Sequence, residues 1–206
     1  MDPNTNMVEK FVDKDDAIRD DILLKAQTLF QTYGFRKTTM EDIARAMGKG
    51  KSTLYYYYTS KEDIFKTVLL QELQEVFSKT KLAVDAAETA VEKLRAFSVT
   101  KITVLAGMIN LYRLVFGELF ERPICWGSLF NEYDLQETNL ISSILSFGIA
   151  NNEFKPSIEK EMDMFPSIIV SCFRGIERDY FTNKLPGLES RIGTISTLLV
   201  EGLKIN

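Results

Sequence analysis

The sequence predicts an all-α chain of about nine helices, a small amino-terminal three-helix domain joined to a larger helical one. Three observations carry that prediction. Apolar residues recur at three- and four-residue spacing along most of the 206 residues. Capping residues and glycines bracket the resulting stripes. Past residue 80 no run alternates apolar with polar residues as a half-buried strand would. With 45% of its residues apolar, the chain can bury a sizeable core. Residues 1–12 are polar and acidic and are expected to form a disordered tail, followed by domains at 13–62 and 63–206.

Each element has its own signals. Ile18, Ile22, Leu23, Ala26, Leu29 and Phe30 share one stripe of a first helix, which ends at Tyr33 before Gly34 as a carboxyl cap. In TTMEDIARAMG, Thr38 with Glu41 forms the expected capping box of a second helix, Ile43, Ala44 and Met47 its apolar face, and Gly48 its end. Gly48 and Gly50 are expected to share a tight turn with positive φ. Ser52, Thr53 and Leu54 then open a third helix whose Leu54 and Tyr58, at i and i+4, point inward. Ser60 with Asp63 caps a long fourth helix, with Ile64, Phe65, Val68, Leu69, Leu73, Val76 and Phe77 on its buried side. Beyond it, helices are expected at 86–109, 110–121, 126–150, 161–182 and 188–204, with breaks near Gly107, Pro123, Pro156 and the LPG at 185–187.

Composition removes several function classes. The chain has no histidine, which takes away the imidazole that most general-base, Ser/His and Cys/His arrangements need. Zinc sites lose their usual ligand too, so no metal and no catalytic residue is expected. Neither GxGxxG nor GxxxxGK[ST] occurs, which leaves no phosphate-cradling loop for a nucleotide cofactor, and none is expected. Cys125 and Cys172 lie far apart with no CxxC partner and are expected as free thiols in the core of a cytoplasmic protein. No apolar run is long enough to cross a bilayer.

The net charge of −4 is unevenly distributed. Residues 1–32 hold four basic and seven acidic side chains, residues 33–61 six and two, and residues 62–206 fifteen and twenty. Positive potential is thus concentrated on the short middle segment, as a DNA-reading module on an acidic body requires. Two short helices, a glycine turn and the small Ala44 at their crossing fit a helix-turn-helix. On a helix, four consecutive tyrosines cannot all face the core: Tyr58 goes in, and Tyr55, Tyr56 and Tyr57 go out. Beside Lys49, Lys51 and Lys61, outward phenols suit phosphates, sugars and thymine methyls.

TTMEDIARAMGKGKSTLYYYYTSKEDIF resembles the signature of TetR-type transcriptional regulators: a threonine pair, an IA step, a glycine turn, TLYxxF, and a lysine before an acidic pair. The resemblance covers residues 16–65. It implies a homodimeric repressor that places a recognition helix of each subunit in the major groove of a palindromic operator, with a larger helical domain that binds a small inducer. By that resemblance Lys51, Ser52, Tyr55, Tyr56 and Tyr57 contact DNA, Thr39 and Lys61 hold phosphates, and Gly50 lets the backbone approach. Tyr58 departs from the family's phenylalanine, so its hydroxyl needs a polar exit. The acidic run Asp13, Asp15, Asp16, Asp20 and Asp21 argues against a basic minor-groove arm.

Pattern alone speaks for the larger domain. Large apolar residues in its middle helices (Phe97, Leu105, Met108, Tyr112, Phe116, Phe120, Trp126, Phe130, Phe147) are candidates to line a pocket for a small lipophilic ligand, although a stripe at helical spacing is more often ordinary core. Small residues among large ones in the last two helices (Ile168, Ile169, Cys172, Gly175, Ile195, Leu198, Leu199, Gly202) suit close helix pairing, across a dimer by the family's pattern or within one chain. The alternative from another class is a helical small-molecule-binding or protein-interaction module that regulates no gene.

Overall fold

The computed structural model describes the backbone of residues 3–107 and 127–205 and the side chains of residues 15–107 and 130–205. Its helices are α1 (Pro3–Tyr33), α2 (Met40–Ala46), α3 (Lys51–Tyr57), α4 (Lys61–Ala86), α5 (Ala90–Gly107), α6 (Gly127–Ala150), α7 (Phe165–Phe181) and α8 (Leu188–Glu201), with a 3-10 turn at Pro156–Glu161. Among the described residues the extended pairing is a single isolated bridge, Phe154 with Lys204, so the chain is all-α. The helix expected at 110–121 lies outside the described residues. α1 is helical from Pro3 and so takes in most of the stretch expected to be a disordered tail. Proline is compatible with a first helical turn, whose amide would lack a partner in any case.

The chain divides into two units, Met1–Gln71 and Glu72–Asn206. The division falls within α4 and not at the expected boundary of 62 and 63. Its first turns bury Ile64, Phe65, Val68 and Leu69, which belong to the first unit's core together with Ile22, Ala26 and Phe30 of α1. At the centre of that unit Phe30, Phe35 and Phe65 meet pairwise, with ring centroids 4.9 to 5.7 Å apart. Edge-to-face and tilted pairs of this kind add to the area they bury.

In the larger unit Val84, Leu94, Phe97, Ile141, Ile144, Leu145, Val170 and Val200 form one buried cluster. Two contacts lock it, one of them between residues far apart in sequence. Glu153, beyond α6, accepts the Ala90 amide at 2.8 Å and caps α5 from 63 residues away. Thr89 and Glu92 complete that cap as a reciprocal box, which is why α5 starts at Ala90 and not at the expected residue 86. Phe154, fully buried, packs against Gly148: a Cβ there would sit 2.2 Å from its ring. The sequence reading treated 161–182 as one helix, whereas a 3-10 turn ends at Glu161 and α7 starts at Phe165 with Pro166 in its first turn.

Candidate nucleic-acid interface

α2, the first helix of the pair, begins with a cap one residue later than expected. Thr39, not Thr38, is the N-cap of α2. Its hydroxyl accepts from the Asp42 amide, and Asp42 Oδ2 accepts the Thr39 amide at 3.0 Å. Thr38 is buried instead and donates its hydroxyl to the Gly34 carbonyl at 2.8 Å. Gly48 turns the chain at φ 65°, a left-handed conformation that favours glycine. Gly50 does not share it: at φ −75° and ψ 153° it is extended and serves as N-cap of α3.

α3 has one sealed face and one open face. Leu54 is 1% and Tyr58 6% exposed, as the i, i+4 spacing predicts. On the other face Tyr55 is 47% and Tyr56 76% exposed, with Lys49, Gly50, Lys51 and Ser52 open beside them. The Lys51 ammonium lies 5.8 Å from the Tyr55 ring centroid. Thr39, Lys51, Tyr55 and Lys61 line one open groove of about 460 Å³ with Thr38, Thr59 and Ser60. Ser60 also caps α4 as expected, accepting the Asp63 amide at 3.1 Å.

Three of the candidate residues are engaged within the fold: Thr39, whose hydroxyl also donates to Asp42 Oδ2 at 2.6 Å, Tyr57 and Lys61. Tyr57 is half-buried, and its hydroxyl donates to Asp15 Oδ1 of α1 at 2.8 Å. Arg19, one turn along α1, places its guanidinium 5.2 Å from the same ring. Lys61 donates to the Phe35 carbonyl at 2.7 Å and lies 4.3 Å from that ring's centroid, which leaves its other protons for a further acceptor. Asp15 and Arg19 were missed by sequence reasoning, because a contact spanning 42 residues leaves no local periodicity. Burial raises the Tyr58 hydroxyl above its ordinary value, and Arg19 both opposes that shift and hydrogen-bonds it, supplying the polar exit. Hydrogen bonds from Thr39 hold the exposed Asp42 carboxyl below its ordinary value.

Residues 22–68, which span this whole arrangement, match the family model described as "Bacterial regulatory proteins, tetR family". The HTH-type transcriptional repressor KstR2 of Mycolicibacterium smegmatis is 26% identical over 153 residues, 70% of this chain and 71% of its own. The amino-terminal helix-turn-helix region is that of the TetR family. With that region and relatives of this kind, the protein is a TetR-like transcriptional regulator and not an enzyme. The fatty acid metabolism regulator protein of Bacillus subtilis is 25% identical over 61% of this chain and 65% of its own. Two solved structures share the fold. A transcriptional regulator from Cytophaga hutchinsonii superposes with a TM-score of 0.73 at 23% identity, covering 89% of this chain and 97% of that one. The fatty acid degradation regulator FadR from Bacillus halodurans gives 0.69 at 21%, covering 90% and 99%.

In the larger unit the remaining candidates separate. Phe97 and Leu105 are buried in the core, and Phe97 meets Phe173 edge-on at 5.2 Å. Phe147 is 38% exposed under the Lys93 ammonium. Phe130 lies 5.2 Å from the Arg174 guanidinium. Met108, Tyr112, Phe116, Phe120 and Trp126 lie outside the described residues, as does Cys125. On α7 and α8, Ile168, Ile195, Leu198 and Leu199 are exposed, and Ile169, Gly175 and Gly202 lie along the same two helices. Cys172, expected in the core, is exposed: it lies on the open face of α7, where helical spacing does not separate inside from interface.

A cluster the sequence reading did not foresee lies inside this unit. Lys101 of α5, fully buried, pairs with Glu137 of α6 at 2.5 Å and Glu177 of α7 at 2.6 Å. Arg174 bonds Glu177 at 2.9 Å and also pairs with Asp134. Phe97, Tyr133 and Phe173 surround the ammonium with centroids 5.5 to 5.8 Å away. Burial pushes both carboxyls up; Lys101 and Arg174 outweigh it at Glu177, which stays below its ordinary value, but not at Glu137, which stays above.

Proposed function

We propose that this regulator is a repressor that binds a palindromic operator as a homodimer in the cytoplasm and is released by a small lipophilic ligand. The observation that carries the DNA reading is the open face of α3: Lys51, Tyr55 and Tyr56 stand exposed beside Lys49, Gly50 and Ser52, while Leu54 and Tyr58 anchor the opposite face. Phenols and ammoniums held this way can meet phosphates and base edges of the major groove. Thr39 and Lys61 lie on the rim of the same groove; Lys61 is the proposed flanking phosphate contact, since Thr39 already donates both its amide and its hydroxyl to Asp42. Tyr57 takes part through its ring, since its hydroxyl is already occupied.

The apolar face of α7 and α8 supports the dimer. Leu198 is 70%, Leu199 65% and Ile168 46% exposed, and with Ile169, Cys172 and Ile195 they line or border an apolar groove of about 250 Å³. An exposed apolar patch of this kind is stabilised by a partner that covers it. Similar proteins named for fatty acid metabolism and ketosteroid regulation, and the apolar candidates of the middle helices, support a lipophilic ligand. Such a ligand acts by preferring one of two dimer states. In gel-shift titrations against the chain's own upstream DNA, Tyr56→Ala and Lys51→Ala should each lose binding. Unchanged affinity in both variants would remove the contact assignment. Native mass spectrometry should give a dimer whose Cys172 is protected from maleimide, and a monomer at micromolar concentration would refute the assembly.

A further inference from the structure

The last turn of α3 is held by a neighbour distant in sequence. α3 has seven residues, too few to be stable on its own, and its chain leaves the helix at once, with Tyr58 extended at φ −138° and ψ 131°. Tyr57, the final helical residue, is where fraying would start. It is fixed on two sides by residues one turn apart on α1, which therefore share a face. Asp15 accepts its hydroxyl at 2.8 Å, and the Arg19 guanidinium lies 5.2 Å from its ring centroid and 6.0 Å from that of Tyr58. Tyr56 in turn leans edge-on against Tyr57, with centroids 4.9 Å apart and planes at 86°. A chain of contacts thus runs from α1 to the most exposed phenol of the recognition helix.

We propose that Asp15 and Arg19 are positioning residues for operator recognition, orienting Tyr57 and through it Tyr56, so that sequence selectivity depends on side chains that touch no DNA. This rests on the reading of α3 as the DNA-reading helix. The phenol of Tyr57 has one proton to donate, and Asp15 takes it, so the residue shapes the face without bonding a phosphate as donor. The acidic run on α1 thereby acquires a use: one carboxylate acts as an internal acceptor for the recognition helix. Selectivity is sensitive to such an arrangement because a base contact depends on orientation to within a fraction of an ångström, whereas a phosphate contact made by a flexible lysine does not.

The test uses the full chain and a duplex enriched from a random pool by the wild-type protein, with a scrambled duplex of equal length. The quantity read is the ratio of the two affinities. Asp15→Ala and Tyr57→Phe should each lower that ratio about tenfold, mainly by weakening the enriched duplex. The double variant should lose no more than either single one, since both remove the same contact. Asp15→Asn, which keeps an acceptor oxygen, should stay within about twofold of wild type. Tyr57→Phe removes a single oxygen from a half-buried ring, so it decides the matter if Asp15→Ala fails to fold. The proposal is overturned if Asp15→Ala tightens both duplexes alike with Tyr57→Phe unchanged, which marks Asp15 as a repelling charge only. Additive losses in the double variant overturn it as well. A wild-type protein that enriches no duplex refutes the DNA reading beneath it, an outcome distinct from either.

Discussion

Replacing Lys101 with methionine removes the ammonium from the centre of the larger unit while keeping most of its volume. Two carboxylates then lose a partner, unequally. Glu177 keeps Arg174 Nη1 at 2.9 Å, but among the described residues Glu137 is left with a cationic contact to Arg174 at 3.6 Å, too long for a hydrogen bond. Glu137 and Glu177 are each about 1% exposed, so solvent cannot compensate. Leaving one member of a buried ion pair without its partner costs about 3–5 kcal/mol. With a urea dependence of about 2 kcal/mol per molar, the midpoint of the larger unit's transition should fall by about 1.5–2.5 M. The cost should also depend on pH. Burial already holds Glu137 above its ordinary value with Lys101 opposing; without Lys101 it rises further. A carboxyl raised in the folded state loses stability as pH rises through its folded value, so the deficit should widen from pH 5 to pH 8. The assay is urea unfolding followed by circular dichroism at both pH values. A midpoint within about 0.5 M of wild type at pH 8 would refute the reasoning, because it would mean that Glu137 is stabilised by something other than Lys101.

Other expectations are smaller in scope. Gly148→Ala should destabilise by about 1–3 kcal/mol in thermal unfolding despite alanine's better helix propensity, because the added carbon meets the Phe154 ring at 2.2 Å and Ala90 Cβ at 2.8 Å. Phe154→Leu in the same chain should restore part of that loss, and a neutral Gly148→Ala would refute the contact. The Asp42 carboxyl should titrate below 3.8 by NMR, and Thr39→Ala should return it toward that value. Because the folded value is the lower one, this cap stabilises α2 above the ordinary carboxylate range and is lost as pH falls through the folded value. An Asp42 midpoint unmoved by Thr39→Ala would contradict the cap. Leu198→Glu should shift a sedimenting dimer toward monomer without changing the helix signal, and an unchanged dimer would place the interface elsewhere.

The first unit was largely legible because its signals are local. Leu54 and Tyr58 at i and i+4, Gly48 at a chain reversal, Ser60 before Asp63 and the one-sided basic segment follow from rules acting within a few residues, and the structure places them as those rules require. The errors in that unit were of register. A Thr38, Thr39 pair before Glu41 and Asp42 offers two equivalent capping boxes, and the burial of Thr38 against Gly34 selects the second.

What tertiary structure alone decided is which side chains are already occupied. Tyr57 and Lys61 read as outward contacts from their positions at the end of α3 and the start of α4, yet Asp15 lies 42 residues from the one and the Phe35 carbonyl 26 residues from the other. The same holds for Lys101. On the sequence it is one of two lysines in α5, with Glu92 and Arg95 on the same helix, and only the convergence of α5, α6 and α7 brings Glu137 and Glu177 to it and makes a fully buried ammonium tolerable. Local propensity and periodicity determine helices and their faces; pairing between helices depends on chain geometry over tens of residues, and no short window of sequence carries it.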